Sequence, residues 1–124
     1  MKIRDAVPAD VPGIAALERE CFSLPWSEEI VASQLTGAGK IMLAAEIEGE
    51  LAGYMGLQYV LDEGYISNVC TAPAFRRRGV ASALIDEMIS RARALGLSFL
   101  SLEVRVSNDP AISLYAGKGF VSVG

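Results

Sequence analysis

The chain has 124 residues, of which 52% are hydrophobic and 21% are charged. This length and balance suit one globular domain with a single hydrophobic core. The formal net charge of −4 argues against a general nucleic-acid surface, which requires a broad basic footprint. No apolar run approaches the roughly 18 residues of a membrane span, and no signal-peptide hydrophobic region follows the first residues, so we expect a soluble, cytoplasmic protein.

The histidine and cysteine content limits the chemistry that can be expected. The sequence contains no histidine, and its two cysteines, Cys21 and Cys70, do not form a Cys-x-x-Cys pair. Neither a metal site nor a cysteine–histidine nucleophile is therefore expected. We interpret both cysteines as small core residues in a reducing compartment, in preference to a redox pair.

The first half of the chain predicts three strands and two helices. The predicted elements are a strand over 2–6, helices that follow Asp10 and Ser27, and an antiparallel pair of strands over 40–47 and 51–61. Asp10 and Ser27 are residue types that cap the first amides of a helix. Apolar residues predict the inward faces of the two helices: Ile14, Leu17, Cys21 and Phe22 in the first, and Ile30, Val31 and Leu35 in the second.

The second half alternates strands and helices. The predicted elements are a strand over 65–71, a long helix that ends near Leu95 with Gly96 as its cap, a strand over 98–106, a helix over 108–118 and a last strand over 120–123. The complete order is β-α-α-β-β-β-α-β-α-β. This order predicts a mixed sheet covered by helices, in the α/β (α+β) class.

A basic glycine loop joins the strand over 65–71 to the long helix. It reads Arg76-Arg77-Arg78-Gly79-Val80-Ala81. The first turn of a helix carries amides without intrahelical partners and the positive end of the helix dipole. Gly79 has no Cβ to keep a ligand away from the backbone, and arginines offer forked donors to phosphate oxygens. The arrangement predicts a pyrophosphate site, with a solvated basic turn as the alternative; P-loop and Rossmann fingerprints are absent.

The segment Arg76-x-x-Gly79-x-Ala81 resembles the Gln/Arg-x-x-Gly-x-Gly/Ala motif of the GNAT superfamily of N-acetyltransferases. The resemblance implies a mixed, splayed β-sheet flanked by helices, with acetyl-CoA bound where the central strands separate. It also implies that backbone amides of the strand before the loop polarise the acetyl carbonyl. The implied cofactor-binding residues are Val69, Cys70, Thr71, Arg76, Arg77, Arg78, Gly79, Val80, Ala81 and Asn108.

Two residues suit the proton transfers of amide formation from a thioester, in which the amine loses a proton and the thiolate gains one. Glu103 is a charge in an apolar strand, and Tyr115 lies on the following helix. Read structurally, Glu103 points to solvent or pairs with Arg105, and Tyr115 is a packing tyrosine. The run from Leu102-Glu103-Val104-Arg105 to Tyr115 and Gly119-Phe120 resembles the signature of RimI-type ribosomal-protein-alanine N-acetyltransferases, which implies that Glu103 is the base and Tyr115 the acid.

The expected acceptor is a peptide or protein N-terminus, with a ribosomal protein as the implied partner. An α-amine has a pKa of about 8 and lysine one of about 10.4, so the α-amine is easier to deprotonate at neutral pH by roughly 3 kcal/mol. The segments 22–29 and 61–63 also resemble RimI-type chains, which implies substrate contacts at Trp26, Asp62 and Glu63. The alternatives are an acetyltransferase for a small amine or lysine, and a shortened coenzyme-A-binding domain without turnover.

RimI-type chains continue beyond the position of Gly124 into a further strand. An open strand edge invites pairing with another chain. We therefore expect residues 119–123 to be ordered, to pair beside 98–106 or with a second molecule, and to favour a homodimer.

Overall fold

A five-stranded mixed sheet runs through the middle of the molecule in the computed structural model, which describes residues 1–104 and 108–122. Its strands are β1 (Lys2–Asp5), β2 (Lys40–Ile47), β3 (Glu50–Val60), β4 (Glu63–Thr71) and β5 (Phe99–Ser101). They lie in the order β1-β2-β3-β4-β5. The pairs from β1 to β4 are antiparallel, and β5 joins β4 in parallel.

Four helices cover the two faces of this sheet. They are α1 (Val11–Cys21), α2 (Glu28–Ser33), α3 (Val80–Ala94) and α4 (Asp109–Gly117). Neighbouring strand residues point to opposite faces. Tyr54 accordingly packs in one core with α1 and α2, and Met55 in a second core with α3 and Tyr115. Within the described ranges, no helix is long and apolar enough to cross a membrane.

Most of the predicted element boundaries are confirmed to within a residue or two. Ser27 caps α2, because its Oγ accepts a hydrogen bond from the Ile30 amide at 3.3 Å. Gly96 ends α3 in the left-handed region with φ 74°. Asp10 lies at the start of α1, but its carboxylate accepts from Arg4 and the Val7 amide and does not cap the helix.

Ile30 was wrongly predicted to face inward. The side chain is 44% exposed, whereas Val31 is fully buried. Helix α2 has only six residues and so makes less than two turns. Its single buried position is taken by Val31.

The predicted strand over 98–106 is shorter than expected. Only Phe99–Ser101 forms β5, residues 102–104 have no regular structure, and residues 105–107 lie outside the described residues.

The predicted last strand is wrong for its described part, residues 120–122. The Phe120 amide donates to the Tyr115 carbonyl at 3.0 Å, and Gly119 adopts φ 98°. The chain therefore turns back onto the end of α4 and does not pair beside β5. Val123 and Gly124 lie outside the described residues, and the homodimer stays a prediction.

The interpretation of the two cysteines as unpaired core residues is also wrong. The structure joins Cys21 to Cys70 as a disulfide, with their Cα atoms 6.4 Å apart. Helix α1 packs with β4 in one core, and this packing brings its last residue to Cys70. Because 49 positions separate the two cysteines, no local spacing signals the pair.

Candidate active site

Strand β4 extends six residues beyond its pairing with β5, and we call the open space beside this part of β4 the wedge. The two strands pair only from Glu63 to Tyr65 on β4, against Phe99–Ser101. Strand β4 continues to Thr71 with no β5 partner in the part of the chain that the structure describes. The unpaired edge of β4 therefore offers backbone donors and acceptors to a ligand.

A β-bulge lies where β4 leaves β5. Met55 pairs with Val69 and Leu57 with Ile66, so Gly56 alone faces both Ser67 and Asn68. A bulge bends the strand and increases its local twist. The bulge lies directly after the residues of β4 that pair with β5. It also leaves little room at Gly56, since a Cβ there would lie 2.6 Å from the Ser67 Oγ.

A cavity of about 290 Å³ lies where the end of β4, the arginine loop and α4 meet. Most of the predicted cofactor-binding residues line it, and α4 contributes two residues that the sequence did not indicate; the lining is Thr71, Arg76, Arg77, Gly79, Val80, Ala81, Ser82, Pro110 and Leu114. Arg78, the third arginine of the loop, does not line the cavity. Its guanidinium lies over the Phe75 ring at 5.5 Å.

The start of α3 has backbone features that suit an anion. Gly79 holds the N-cap position with φ 78°, and Arg77 before it has φ 64°. The first helical bond runs from the Ala83 amide to the Gly79 carbonyl at 3.0 Å, and no described side chain caps this end. The amides of Val80–Ser82 therefore remain for a ligand. A Cβ on Gly79 would meet no atom of the protein within 4 Å, so space remains over the loop.

Helix α4 carries the predicted acid. Tyr115 is 6% exposed, and its ring packs edge-on against Phe120 at 5.8 Å. Burial raises the pKa of the Tyr115 phenol above its ordinary value of 10. The phenol is thus a protonated donor at neutral pH. Asn108 starts the same helix, where its Oδ1 accepts from the Ala111 amide at 3.3 Å.

Glu103, the predicted base, is exposed and lies two residues beyond the end of β5. Two predicted cofactor residues, Val69 and Cys70, lie on β4 before the cavity and do not line it. Val69 packs against the α3 side of the sheet, and Cys70 is paired with Cys21 on the other side. Their contribution to a cofactor would therefore come from the backbone.

Two predicted substrate residues lie at the far end of β4. Asp62 accepts hydrogen bonds from the amide of Ser98, at 2.7 Å to its carbonyl, and from the Ser98 hydroxyl. Glu63 accepts from the Tyr65 hydroxyl at 2.6 Å. Glu63 is eight residues from Thr71, about 26 Å along the strand. The structure does not bring these carboxylates to the cavity; they join the closed end of the wedge.

Trp26, the third predicted substrate residue, is hydrogen-bonded to Glu18, a buried residue that the sequence analysis did not identify. Its amide donates to Glu18 Oε1 at 2.8 Å. Glu18 is fully buried, and its Oε2 accepts from Asn68 Nδ2 at 2.7 Å and from the Tyr54 hydroxyl. The sequence does indicate that Glu18 is buried, because position 18 follows Ile14 by four residues and so falls on the apolar stripe of α1.

A second groove, of about 310 Å³, lies between α3 and the end of α4. It contains the ion pair of Lys118 Nζ with Asp86 Oδ1 at 2.9 Å. None of the predicted site residues lines it.

The open edge of β4 and the arginine-flanked start of α3, which no described side chain caps, fit an acyltransferase of the GNAT type. The chain belongs to the acetyltransferase (GNAT) family, whose model matches residues 11–120. The ribosomal protein bS18-alanine N-acetyltransferase of Escherichia coli K12 is 34% identical over 111 residues, which cover 90% of this chain and 74% of that protein. A Bacillus subtilis protein named as the putative enzyme of the same kind is 31% identical over 91% of this chain and 76% of its own. The crystal structure of the Escherichia coli enzyme superposes with a TM-score of 0.90 and 32% identity, covering 99% of this chain and 79% of that chain.

Proposed function

We propose that this enzyme transfers the acetyl group of acetyl-CoA to the N-terminal α-amine of a protein, with the alanine of a ribosomal protein as the first candidate. The proposed acceptor rests on the similarity to RimI-type relatives over 90% of the chain. The proposed acetyl donor rests on the cavity at the start of α3. A ribosomal substrate would place the reaction in the cytoplasm.

The residues of the cavity fit the pyrophosphate of coenzyme A. Arg76 and Arg77 supply positive charge, and the amides of Val80–Ser82 supply donors at the positive end of α3. When bound, acetyl-CoA supplies an activated acyl group as a thioester. We assign the polarisation of its carbonyl to backbone amides of Val69–Thr71, and a contact with its pantetheine arm to the Asn108 side chain.

Tyr115 is the proposed general acid. A donor to a departing thiolate must be protonated at neutral pH, and burial keeps the Tyr115 phenol in that form. Its helix lines the cavity through Pro110 and Leu114, the second of which is its neighbour in sequence. The phenol therefore lies on the element that borders the bound cofactor.

Glu103 is the proposed general base. It is an exposed carboxylate two residues beyond the end of β5, the strand that pairs with β4. An α-amine needs less assistance than a lysine, by roughly 3 kcal/mol at neutral pH. Asp62 and Glu63 would act at longer range, by attracting a cationic peptide end.

A peptide panel tests the proposal. Peptides that differ only in the first residue would be compared with an N-terminally blocked peptide that carries one internal lysine, and with free lysine and polyamines. We expect transfer to the free α-amine, with alanine first preferred, and little transfer to the blocked peptide. Preference for lysine or a polyamine would refute the choice of acceptor, and coenzyme A binding without any turnover would indicate a non-catalytic domain.

A further inference from the structure

Glu18 is a buried carboxylate that the proposed chemistry does not use. The residue is fully buried and touches no solvent, so it cannot contact a substrate. It accepts hydrogen bonds from three donors on three separate parts of the chain: Trp26 before α2, Tyr54 on β3 and Asn68 on β4. Burial and this carboxylate raise the pKa of Tyr54, so its hydroxyl remains a donor.

A buried carboxylate such as Glu18 is energetically costly, so a role in placing other residues explains it better than a gain in stability. Removing a carboxylate from water carries a large desolvation penalty, and apolar replacements of buried charged groups are often neutral or stabilising. What three donors on one carboxylate provide is a fixed relative position for the elements that carry them.

The segment that Glu18 fixes is a short exposed arch at residues 23–25, between α1 and α2. Leu24 at its top is 90% exposed. The Glu18 side chain holds the end of the arch that leads to α2, because its Oε1 accepts from the Trp26 amide at 2.8 Å. The other end is held by the last backbone bond of α1, from the Phe22 amide to the Glu18 carbonyl at 2.9 Å, which does not depend on the side chain.

The other end of the tie lies beside the cofactor strand. Asn68 is part of the bulge of β4, directly before the Val69–Thr71 edge. The disulfide already joins the end of α1 to β4. The disulfide does not reach Trp26, whose side chain packs against the core and whose amide is bonded to the Glu18 carboxylate.

We propose that Glu18 is a positioning residue for the acyl acceptor: it holds the 23–25 arch and Trp26 against the bulge of β4, and so forms the wall of the peptide site. This inference rests on the proposed function, because it requires a peptide acceptor. None of the four residues of this tie lines the cavity at the start of α3, so coenzyme A affinity should depend little on it.

Glu18→Gln is the direct test, since it keeps the shape but places an amide NH₂ against at least one of the three donors. Glu20→Gln is the matched control, because Glu20 is exposed on the same helix and loses the same charge. Trp26 is the only tryptophan of the chain, so its fluorescence reports on the arch without a substrate. We expect about twofold stronger acrylamide quenching and a roughly tenfold higher peptide KM in Glu18→Gln, with coenzyme A affinity within twofold of wild type. The control should change none of these.

Equal losses of peptide and coenzyme A affinity would overturn the proposal in favour of a purely structural role. Unchanged quenching and peptide KM in a folded Glu18→Gln protein would show that the carboxylate does not position the acceptor. If that variant does not fold, Tyr54→Phe removes one donor and little volume, and should shift quenching and peptide KM in the same direction by a smaller factor; unchanged values would overturn the proposal. If wild type acetylates no peptide, the proposed function fails separately. Stronger quenching with intact coenzyme A binding would then still support the tie, and unaltered quenching would refute it.

Discussion

Gly79→Asp is the sharpest test of the phosphate site at the start of α3. The substitution puts a Cβ and a carboxylate beside the amides of Val80–Ser82. Gly96→Asp is its matched control at the other end of the same helix. Both glycines have nearly the same left-handed φ, 78° and 74°, and a Cβ on either would meet no atom within 4 Å.

The expected magnitudes separate binding from folding. A non-glycine residue in the left-handed region costs about 1 kcal/mol at both positions. A carboxylate is favourable at a helix N-terminus and unfavourable at a C-terminus, so Gly79→Asp should be the more stable variant. Opposite a pyrophosphate with about two charges, the new carboxylate adds about 2 kcal/mol of repulsion, or roughly 30-fold in Kd. The control lies about 22 Å away, the length of α3, and should bind normally.

Calorimetric titration with coenzyme A, beside thermal melts of both variants, provides the measurement. We expect Gly79→Asp to be the more stable of the two variants and yet to bind coenzyme A roughly 30-fold more weakly than wild type. Unchanged affinity in a folded Gly79→Asp protein would show that the pyrophosphate binds elsewhere. Equal losses in both variants would attribute the effect to net charge or to the fold.

Tyr115→Phe should lower kcat by about 100-fold with acetyl-CoA affinity unchanged. Glu103→Gln should lower kcat similarly and flatten the acid limb of the pH–rate profile. Wild-type rates in both variants would show that other groups perform the proton transfers. Burial raises the pKa of Tyr54 and Tyr115, so these phenols stay protonated where the unfolded chain ionises, and the free energy of unfolding should fall as the pH rises above about 10. A thermal midpoint that is constant from pH 9 to 11.5 would contradict this. Reduction of the Cys21–Cys70 bond, which spans 49 positions, should lower the free energy of unfolding by about 4 kcal/mol in urea titrations; identical curves with and without reductant would show that the thiols are not bonded.

The glycine loop before α3 and the order of the elements down to α4 could be predicted from the sequence because their signals are local. A glycine after three arginines, at the junction of an apolar strand and a helical repeat, needs no tertiary information. The same holds for the Ser27 cap and for Gly96 at the end of α3. The Gly96 conformation and the Ser27 hydrogen bond are confirmed.

What could not be predicted depends on contacts between distant parts of the chain. The Glu18 cluster joins positions 36 and 50 residues apart, so its partners leave no spacing pattern. The apolar run over 120–123 has strand propensity, but the left-handed Gly119 and the hydrogen bond from the Phe120 amide to α4 override it in the described part. The position of Glu103, the proposed base, could not be predicted by pattern alone, since it follows β5 in a segment without regular structure.

The short β4–β5 ladder bears on how cofactor affinity and local stability are linked. Only three residue pairs of the described chain join β5 to the sheet, against eight between β2 and β3. The arm formed by β5 and α4, which carries Tyr115, therefore belongs to the regions expected to open at low free energy. A ligand that contacts Thr71 on one side and Leu114 on the other should favour the arrangement in which both line the cavity. If acetyl-CoA is that ligand, as proposed, a substitution that loosens this arm should weaken acetyl-CoA binding even where it leaves the cavity lining unchanged.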